Sequence, residues 1–362
     1  VRKTGARVPY SPSVLAEVTA WFRYFFAVQR VEPIGSRFTI AFTPERARPW
    51  YLIWAAARVA GGKPLKDVSQ ADVVVHFEDA TYSPNPAPKQ LKPGAALLNF
   101  RARDVSKSKV AEVFEAAFGY PLAIDPTTHV GPAVEKSEIN GAHDGRIVQC
   151  PTAALPNRVY QRLIDSRGPD PQLVDDLRTP TLGGKPTVVF IKRRPLAKRF
   201  QNTNSEVVLR RVEDIFSPDE LAKIAAFTEA LGLDWGGLDI LRDRNDGRIY
   251  IVDANKTDMG PPVALNLADK LKATRQIAVA LRDYLGRTER KPKMGAKIDY
   301  VHEMDFAYGV PQQVSPLIRR VVANNPGAFT FKGTGVYIVG RGEVAVIDPA
   351  PDLPGHLDVL ME

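Results

Sequence analysis

Residues 236–262 constrain the fold of this chain more than any other stretch, and they read GGLDILRDRNDGRIYIVDANKTDMGPP. Two runs of apolar and β-branched residues flank the pair Asp246-Gly247, and this pattern predicts a β-hairpin. We therefore expect two antiparallel strands here, the second of which covers residues 248–253.

The polar residues of this hairpin predict a cation site. Asp253 and Asn255 are two positions apart, so within a strand their side chains share one face. The partner strand can bring Asp239 to the same face, which gives two carboxylates and one amide oxygen. Mg²⁺ that bridges nucleotide phosphates uses such oxygen ligands. The alternative interpretation is an ordinary hairpin whose acidic side chains are solvated.

The hairpin resembles the metal-binding hairpin of ATP-grasp enzymes. In that family an acid on one strand is followed by acid-x-Asn on the next strand, and then by a turn of small residues and proline. Here these positions are Asp239, Asp253, Asn255 and the Gly-Pro-Pro run at 260–262. The resemblance implies ATP as a cofactor, with Mg²⁺ or Mn²⁺ held by those three side chains.

One position departs from the family pattern. Many family members carry an arginine just before the first metal acid, whereas Gly237 and Leu238 precede Asp239 here. An arginine that stabilises the transferred phosphoryl group would therefore have to come from elsewhere in the chain.

Residues 131–150 predict a strand that bears Lys136 and runs into a glycine-containing loop. Glycine lets the backbone approach a ligand, loop amides bind phosphate, and a lysine adds a point charge. A plain hairpin explains the same pattern. The resemblance implies that phosphates are contacted by Lys136, Asn140, Gly141 and Gly145.

The resemblance assigns further nucleotide contacts by position. It places Gln161 and Leu163, on a strand predicted over 159–164, beside the adenine. It also places a phosphate-contacting lysine near the start of a helix predicted over 106–118, where Lys107 and Lys109 both lie and Lys109 is the residue assigned. A solvated lysine is the alternative there.

A predicted strand at 187–193 leads into a basic run. Alternate residues of a strand face one side, so Lys192 and Arg194 can line one cleft and neutralise a triphosphate or acyl-phosphate. An exposed basic edge is the alternative. The resemblance implies that Lys192 contacts phosphate, and that Arg178, Arg194 or Arg199 orients an acceptor carboxylate, because the guanidinium matches carboxylate geometry.

The remaining patterns predict the other elements. Residues 36–125 alternate between strands and helices, which indicates a small parallel sheet covered by helices. Residues 166–176 read as a loop rich in Pro, Gly and Asp. The other expected elements are an amphipathic helix at 13–28 whose aromatic side chains dock on the body, a helix from the capping box at 217–220 to Gly232, and a helix at 264–285 ended by Gly286.

The C-terminal residues resemble the opening hairpins of a metallo-β-lactamase-fold hydrolase. The resemblance rests on Asn325-Pro326-Gly327 and on Asp348-Pro349, although Ala350 stands where that family usually has glycine. The sequence ends before any His-x-His-x-Asp-His cluster, and His356 is not one of those ligands. We therefore expect an incomplete segment without hydrolase activity.

Composition limits the other function classes. The chain has 362 residues, a formal net charge of +8 and one cysteine, Cys150, which excludes an intramolecular disulfide framework. The basic residues are dispersed and follow no nucleic-acid motif, so a polyanionic small substrate is favoured over nucleic acid. Neither a membrane span nor a signal peptide is apparent, which predicts a cytoplasmic protein. A homodimer is the default expectation.

Together these patterns predict an α/β and α+β protein. The resemblance implies a small parallel-sheet pre-ATP-grasp domain, then a two-lobe ATP-grasp domain and a truncated β-rich segment. It also implies an ATP- and Mg²⁺-dependent ligase that joins a small-molecule carboxylate to an amine or thiol through an acyl-phosphate. The alternatives are a kinase, a catalytically silent nucleotide-binding module, and part of a fusion with a metallo-β-lactamase-like hydrolase. The expected boundaries are 1–35 for an N-terminal arm, 36–125 for the first domain, 126–286 for the ATP-grasp domain, 287–303 for a basic linker and 304–362 for the C-terminal segment.

Overall fold

A computed structural model confirms the mixed α/β class, with one parallel four-stranded sheet and three antiparallel sheets. The chain divides into two compact units, Val1–Lys293 and Met294–Glu362. None of the helices described is both long and apolar enough to cross a membrane. The structure describes residues 11–142, 144–201, 204–290 and 305–362, without the side chains of Ser13 and 287–290.

The elements of the first unit alternate at first and then become mainly antiparallel. They are α1 (Pro12–Arg30), β1 (Phe38–Pro44), α2 (Leu52–Val59), β2 (Gly62–Leu65), β3 (Val73–Phe77), β4 (Ala96–Leu98), α3 (Lys107–Phe118), β5 (Gly131–Ser137), β6 (Arg146–Cys150), β7 (Arg158–Arg162), β8 (Leu173–Leu182), β9 (Lys185–Pro186), β10 (Val189–Pro195), β11 (Glu206–Arg210), α4 (Pro218–Leu231), β12 (Trp235–Arg242), β13 (Ile249–Asn255) and α5 (Leu267–Arg290).

The parallel sheet has the strand order β2-β1-β3-β4. Every residue of β3 is buried, as expected for a strand covered on both faces. Its side chains pack with α2 and α5 in one apolar core. The expected parallel sheet is therefore present.

In the antiparallel sheet β11-β10-β8-β12-β13, strand β8 includes residues that the sequence predicts to form a loop. Strand β8 begins at Leu173 and lies at the centre, between β10 and β12. Its polar residues Asp175, Asp176 and Arg178 are accommodated there because each pairs with an opposite charge on a neighbouring strand. The expectation of a loop through residue 176 is wrong for that reason.

The observed ends of α4 and α5 can be compared with the helix ends that the sequence predicts. Ser217 and Glu220 form the predicted capping box, and Gly232, at φ +71°, ends α4 in the left-handed conformation. The expected end of α5 at Gly286 is wrong, because the helix continues to Arg290. A glycine inside a helix costs only about 1 kcal/mol, so it weakens a helix without ending it.

Only one face of helix α1 packs against the rest of the first unit. Tyr24 and Val28 are buried, and the Tyr24 hydroxyl lies 2.8 Å from Thr274 Oγ1 of α5. Phe22 and Phe26 are about half exposed, so the expectation that they dock on the body is wrong.

The C-terminal unit forms a small antiparallel sheet. Val321, Val336 and Ile338 are its buried core. Ala350 adopts φ +64°, a conformation that glycine adopts without strain. The elements are β14 (Gln312–Ser315), β15 (Ile318–Val322), β16 (Gly335–Arg341), β17 (Glu343–Ile347) and α6 (His356–Met361).

Asn99 joins the parallel sheet to the strand that carries Asp239. The side chain follows β4, donates to the Trp235 carbonyl at 2.8 Å and accepts from the Trp235 amide at 2.8 Å. Its own amide donates to Asp234 at 2.7 Å. The start of β12 is therefore fixed by a fully buried side chain.

We expect Asn99→Ala to lower the free energy of unfolding by about 3 kcal/mol, because it leaves buried backbone groups of Trp235 unsatisfied. Urea unfolding measures this loss. Asn157→Ala is the matched control, because Asn157 is exposed and also has a positive φ of 59°. It should cost about 1 kcal/mol or less. Equal losses in the two variants would contradict this role of Asn99.

Candidate active site

One face of the six-stranded antiparallel sheet, in which β9 also pairs with β8, carries a row of charged side chains. The strand register places Lys192 opposite Asp176, Arg178 opposite Asp239, and Asp239 opposite Asp253. The other face is apolar, with Leu177, Ile191, Leu238, Ile240 and Ile251 in a buried core. The period-two alternation of the strands therefore gathers the charges on one side.

Arg178 connects two carboxylates. Its Nη1 donates to Asp239 Oδ1 at 2.8 Å, and its Nη2 donates to Asp258 Oδ1 at 2.5 Å. A Cβ atom on Gly237 would lie 2.8 Å from Arg178 Cζ and 2.4 Å from Asp258 Oδ2. Glycine precedes the Leu238-Asp239 pair because Arg178 and Asp258 fill this space. Arg178 of β8 thus contacts Asp239 on the neighbouring strand β12.

Lys192 and Arg194 of β10 share one carboxylate. The Lys192 ammonium lies 2.9 Å from Asp176 and 3.5 Å from Asp239, and Arg194 Nη2 lies 2.7 Å from Asp176. Arg194 also donates to the Gln201 carbonyl at 2.9 Å. The two cations face one side, as alternation predicts, and Arg194 is committed to contacts within the protein.

The two hairpin acids have pKa values that move in opposite directions. Burial alone would raise the pKa of Asp239, but Arg178 and Lys192 outweigh it and hold that pKa below its usual range. Burial raises the pKa of Asp253, opposed by the charge of Lys107 and reinforced by that of Asp239. Asp253 forms no ion pair within 4 Å with any described cation. It is therefore the hairpin acid that is open to an added cation.

Two lysines lie near Asp253: Lys136 on strand β5 and Lys107 at the start of α3. Lys136 of β5 donates to the Val252 carbonyl at 3.0 Å, next to Asp253 in sequence. Lys107, the first residue of α3, is 7% exposed and donates to the Ile139 carbonyl at 2.9 Å. Burial, partly offset by Asp253 and reinforced by Lys107, lowers the pKa of Lys136 to about 8.

The predicted loop after Lys136 is hydrogen-bonded to the hairpin formed by β12 and β13. Asn140 accepts from Lys107 Nζ at 3.2 Å and donates to the Ala254 carbonyl at 3.2 Å. Gly141 has φ +75°, and a Cβ atom on Gly145 would lie 2.8 Å from the Phe200 ring. Asn140 therefore connects α3 to the β12–β13 hairpin, and Gly145 packs closely against Phe200.

The other predicted residues lie in different positions. Lys109 is not directed at the hairpin, because its ammonium pairs with exposed Glu112 at 2.6 Å; Lys107 lies there instead. Arg199 donates to the Ile164 carbonyl at 2.7 Å and stacks on Phe200, away from the row of acids. Gln161 is buried on β7, and Leu163 follows β7 half-buried.

The donor set fits a cation that binds with its nucleotide. The described residues contain no group of three or more His, Cys, Asp and Glu side chains placed to hold a metal ion. Mg²⁺ in nucleotide sites needs only one or two carboxylates, since phosphates and water supply the rest. Asp239 and Asp253 meet this requirement. Asn255 lies two positions beyond Asp253, and its Oδ1 accepts from Thr257.

Two residues of this cluster are absent from the candidates selected on sequence: Asp176 and Asp258. Lys107 has the signal of a lysine at a helix start, which the macrodipole disfavours. Asp176 and Asp258 have no comparable signal, because their roles depend on strand β8.

Comparison with known proteins gives short sequence matches. No protein-family model matches the chain. It is 44% identical over 50 residues to Atrochrysone carboxyl ACP thioesterase dmxR1 of Cryptosporiopsis sp. and 42% identical over 50 residues to Lactamase-like protein ptaB of Pestalotiopsis fici. Each match covers 14% of this chain and 16% of the relative, so the chain spans about one-sixth of the length of the curated relatives it matches.

Solved structures similar to this chain include ATP-grasp proteins. ATP-grasp ligase PsnB with a minimal precursor is 14% identical over 70% of this chain and 100% of its own, with a TM-score of 0.45. D-cycloserine synthetase DcsG is 16% identical over 69% and 100%, with a TM-score of 0.43. The RimK domain protein ATP-grasp of Sphaerobacter thermophilus is 14% identical over 68% and 99%, with a TM-score of 0.40. Values this low carry no conclusion about activity.

We expect the Lys136 ammonium to titrate near pH 8, well below the ordinary lysine value of 10.5, because it is buried beside Lys107. Carbon-13 NMR of lysine Cε measures this titration. Lys107→Gln should raise the pKa by removing a like charge, and Asp253→Asn should lower it by removing an opposite charge. A Lys136 that titrates near 10.5 in all three proteins would contradict this arrangement.

Proposed function

We propose that this protein is an ATP- and Mg²⁺-dependent ligase that joins a carboxylate to an amine or thiol through an acyl-phosphate. The observation that carries the proposal is the direct cross-strand pairing of Asp239 with Asp253, with Lys136 bonded beside Asp253. Carboxylates for the cation and a cation for the phosphates then lie within one cleft.

The arrangement supports phosphoryl transfer because that reaction depends on positioning and charge neutralisation more than on a special nucleophile. Asp239 and Asp253, with Asn255, would hold Mg²⁺ on the nucleotide. Lys136 and Lys107 would contact the phosphates from one side, and the loop at Asn140 would exclude water.

The sheet supports the opposite wall of the cleft. Lys192 and Arg178 would neutralise charge on the transferred phosphoryl group. Because Arg178 reaches Asp239 from the neighbouring strand, it would supply the arginine that positions 237 and 238 lack. When bound, Mg²⁺ would supply further neutralisation of the phosphate charge.

The names of the similar proteins agree with this class without extending it. The solved structures include an ATP-grasp ligase with a precursor and a D-cycloserine synthetase. We assign no thioesterase or lactamase activity to the C-terminal unit. Its one histidine among residues 305–362 is buried, with Nε2 3.2 Å from the Pro349 carbonyl.

We expect Asp253→Asn to weaken Mg²⁺·ATP binding at least about tenfold, because the variant removes one of two carboxylates that hold the cation. Isothermal titration calorimetry with and without Mg²⁺ measures the change. Asp243→Asn is the matched control, since Asp243 is also a buried acid but lies at the far end of the same pair of strands. Mg²⁺-dependent binding that is equal in both variants would remove Asp253 from the site.

A coupled reaction tests the ligase class. Hydroxylamine traps acyl-phosphates as hydroxamates, so a panel of carboxylates incubated with Mg²⁺·ATP and hydroxylamine should yield hydroxamate and ADP with at least one member. ATP binding without ADP release across the panel would favour the nucleotide-binding module instead. ADP release that depends on a hydroxyl compound, without hydroxamate, would favour a kinase.

A further inference from the structure

The side-chain oxygen of Asn255 already accepts two hydrogen bonds from Thr257. The Thr257 amide nitrogen lies 2.9 Å from Asn255 Oδ1, and the Thr257 hydroxyl Oγ1 lies 3.1 Å from it. An amide oxygen has two lone pairs. When both donors are in place, no lone pair is left for the cation that the proposed function assigns to this oxygen. One of the two hydrogen bonds must therefore be given up before Asn255 can bind Mg²⁺.

Only the hydroxyl of Thr257 can turn away. The backbone of Thr257 is held by both of its neighbours in the chain, which are buried. Lys256 Nζ donates to Ser83 Oγ at 2.5 Å. The Asp258 carbonyl accepts from the Leu52 amide at 3.0 Å. The hydroxyl proton, by contrast, rotates about the Cβ–Oγ1 bond without any change in the backbone.

Asp79 offers this hydroxyl a second acceptor. Thr257 Oγ1 lies 3.3 Å from Asp79 Oδ1. Thr257 is 2% exposed, so the protein rather than bulk water supplies the acceptors of its hydroxyl. Asp79 follows β3 of the parallel sheet, whereas Asn255 is the last residue of β13. One hydroxyl proton is therefore shared between the parallel sheet and the hairpin of the candidate site.

We propose that the Thr257 hydroxyl is a switch that decides whether Asn255 can bind the cation. Without Mg²⁺ the hydroxyl donates to Asn255, and with Mg²⁺ it donates to Asp79. This inference rests on the proposed function, which assigns Asn255 to the cation. The proton stays on Oγ1 throughout, and only its hydrogen bond changes. Thr257 acts through Asn255 and is a positioning residue, and Asp79 is its second acceptor.

The exchange is favourable because Asp79 is a carboxylate. A hydrogen bond to an ionised acceptor is roughly twice as strong as one between neutral groups. The bond that the hydroxyl forms with Asp79 therefore offsets the one that it gives up at Asn255. Without an acceptor at position 79, Mg²⁺ binding would cost one buried hydrogen bond, which corresponds to an affinity about fivefold lower.

Two substitutions of Asp79 test the switch. Asp79→Asn and Asp79→Leu both remove the negative charge, but only Asp79→Asn keeps an oxygen that can accept from Thr257. Titration calorimetry of ATP binding at a series of Mg²⁺ concentrations measures the Mg²⁺ affinity. We expect Asp79→Leu to bind Mg²⁺ about fivefold more weakly than Asp79→Asn. The difference should vanish when each is combined with Thr257→Val, which leaves no hydroxyl proton to place. ATP binding without Mg²⁺ should be equal in Asp79→Asn and Asp79→Leu, whereas damage to the fold would change it as well.

The outcomes separate this inference from the proposed function. Wild-type protein whose ATP binding does not depend on Mg²⁺ would overturn the proposed function, and this inference with it. If wild-type binding does depend on Mg²⁺, equal Mg²⁺ affinities of Asp79→Asn and Asp79→Leu would overturn only the switch. So would a difference that persists with Thr257→Val, or a wild-type Mg²⁺ affinity in Asn255→Ala. If Thr257→Val does not fold, Thr257→Ala, which also lacks the hydroxyl, replaces it.

Discussion

The site depends on the ion pairs that hold Asp239 in the middle of the antiparallel sheet. Four carboxylates would repel one another on this face without cations between them, and burying charges is costly unless they are paired. Arg178 and Lys192 lie between Asp176, Asp239 and Asp258 and make the row possible. Strand β8 supplies two members of the row, which is why a strand rich in charge lies at the centre of the sheet.

The two hairpin acids, Asp239 and Asp253, therefore differ in how their negative charges are balanced. Asp239 is already balanced by protein cations, whereas Asp253 has only the more distant charges of Lys107, Lys136 and Arg178. A divalent cation between the two acids would compete with Arg178 for Asp239 and would be attracted by the negative charge of Asp253. Nucleotide phosphates would in turn attract the cations released. Under the proposed function, these ion pairs would be exchanged for contacts with Mg²⁺ and phosphate.

The local patterns in the sequence predict more of the fold than of the site. The Asp-Gly turn, the alternation of β12 and β13, and the capping box of α4 are short-range signals, and the structure contains all three. Strand β8 was missed because its charges are neutralised only by β10 and β12, which the sequence alone does not place beside it. The sequence does not reveal the role of Asp258 for the same reason, because that role depends on its ion pair with Arg178 of β8. The sequence does not distinguish Lys107 from Lys109, because both belong to one helical turn and only packing separates them.

A crystal structure of the protein with Mg²⁺ and the non-hydrolysable nucleotide AMP-PNP tests the central claim most directly. The account predicts a cation with one oxygen each from Asp239 and Asp253 at about 2.1 Å, and phosphate oxygens within hydrogen-bonding distance of Lys136. A nucleotide bound elsewhere, or a Mg²⁺ ion in contact with neither carboxylate, would contradict it.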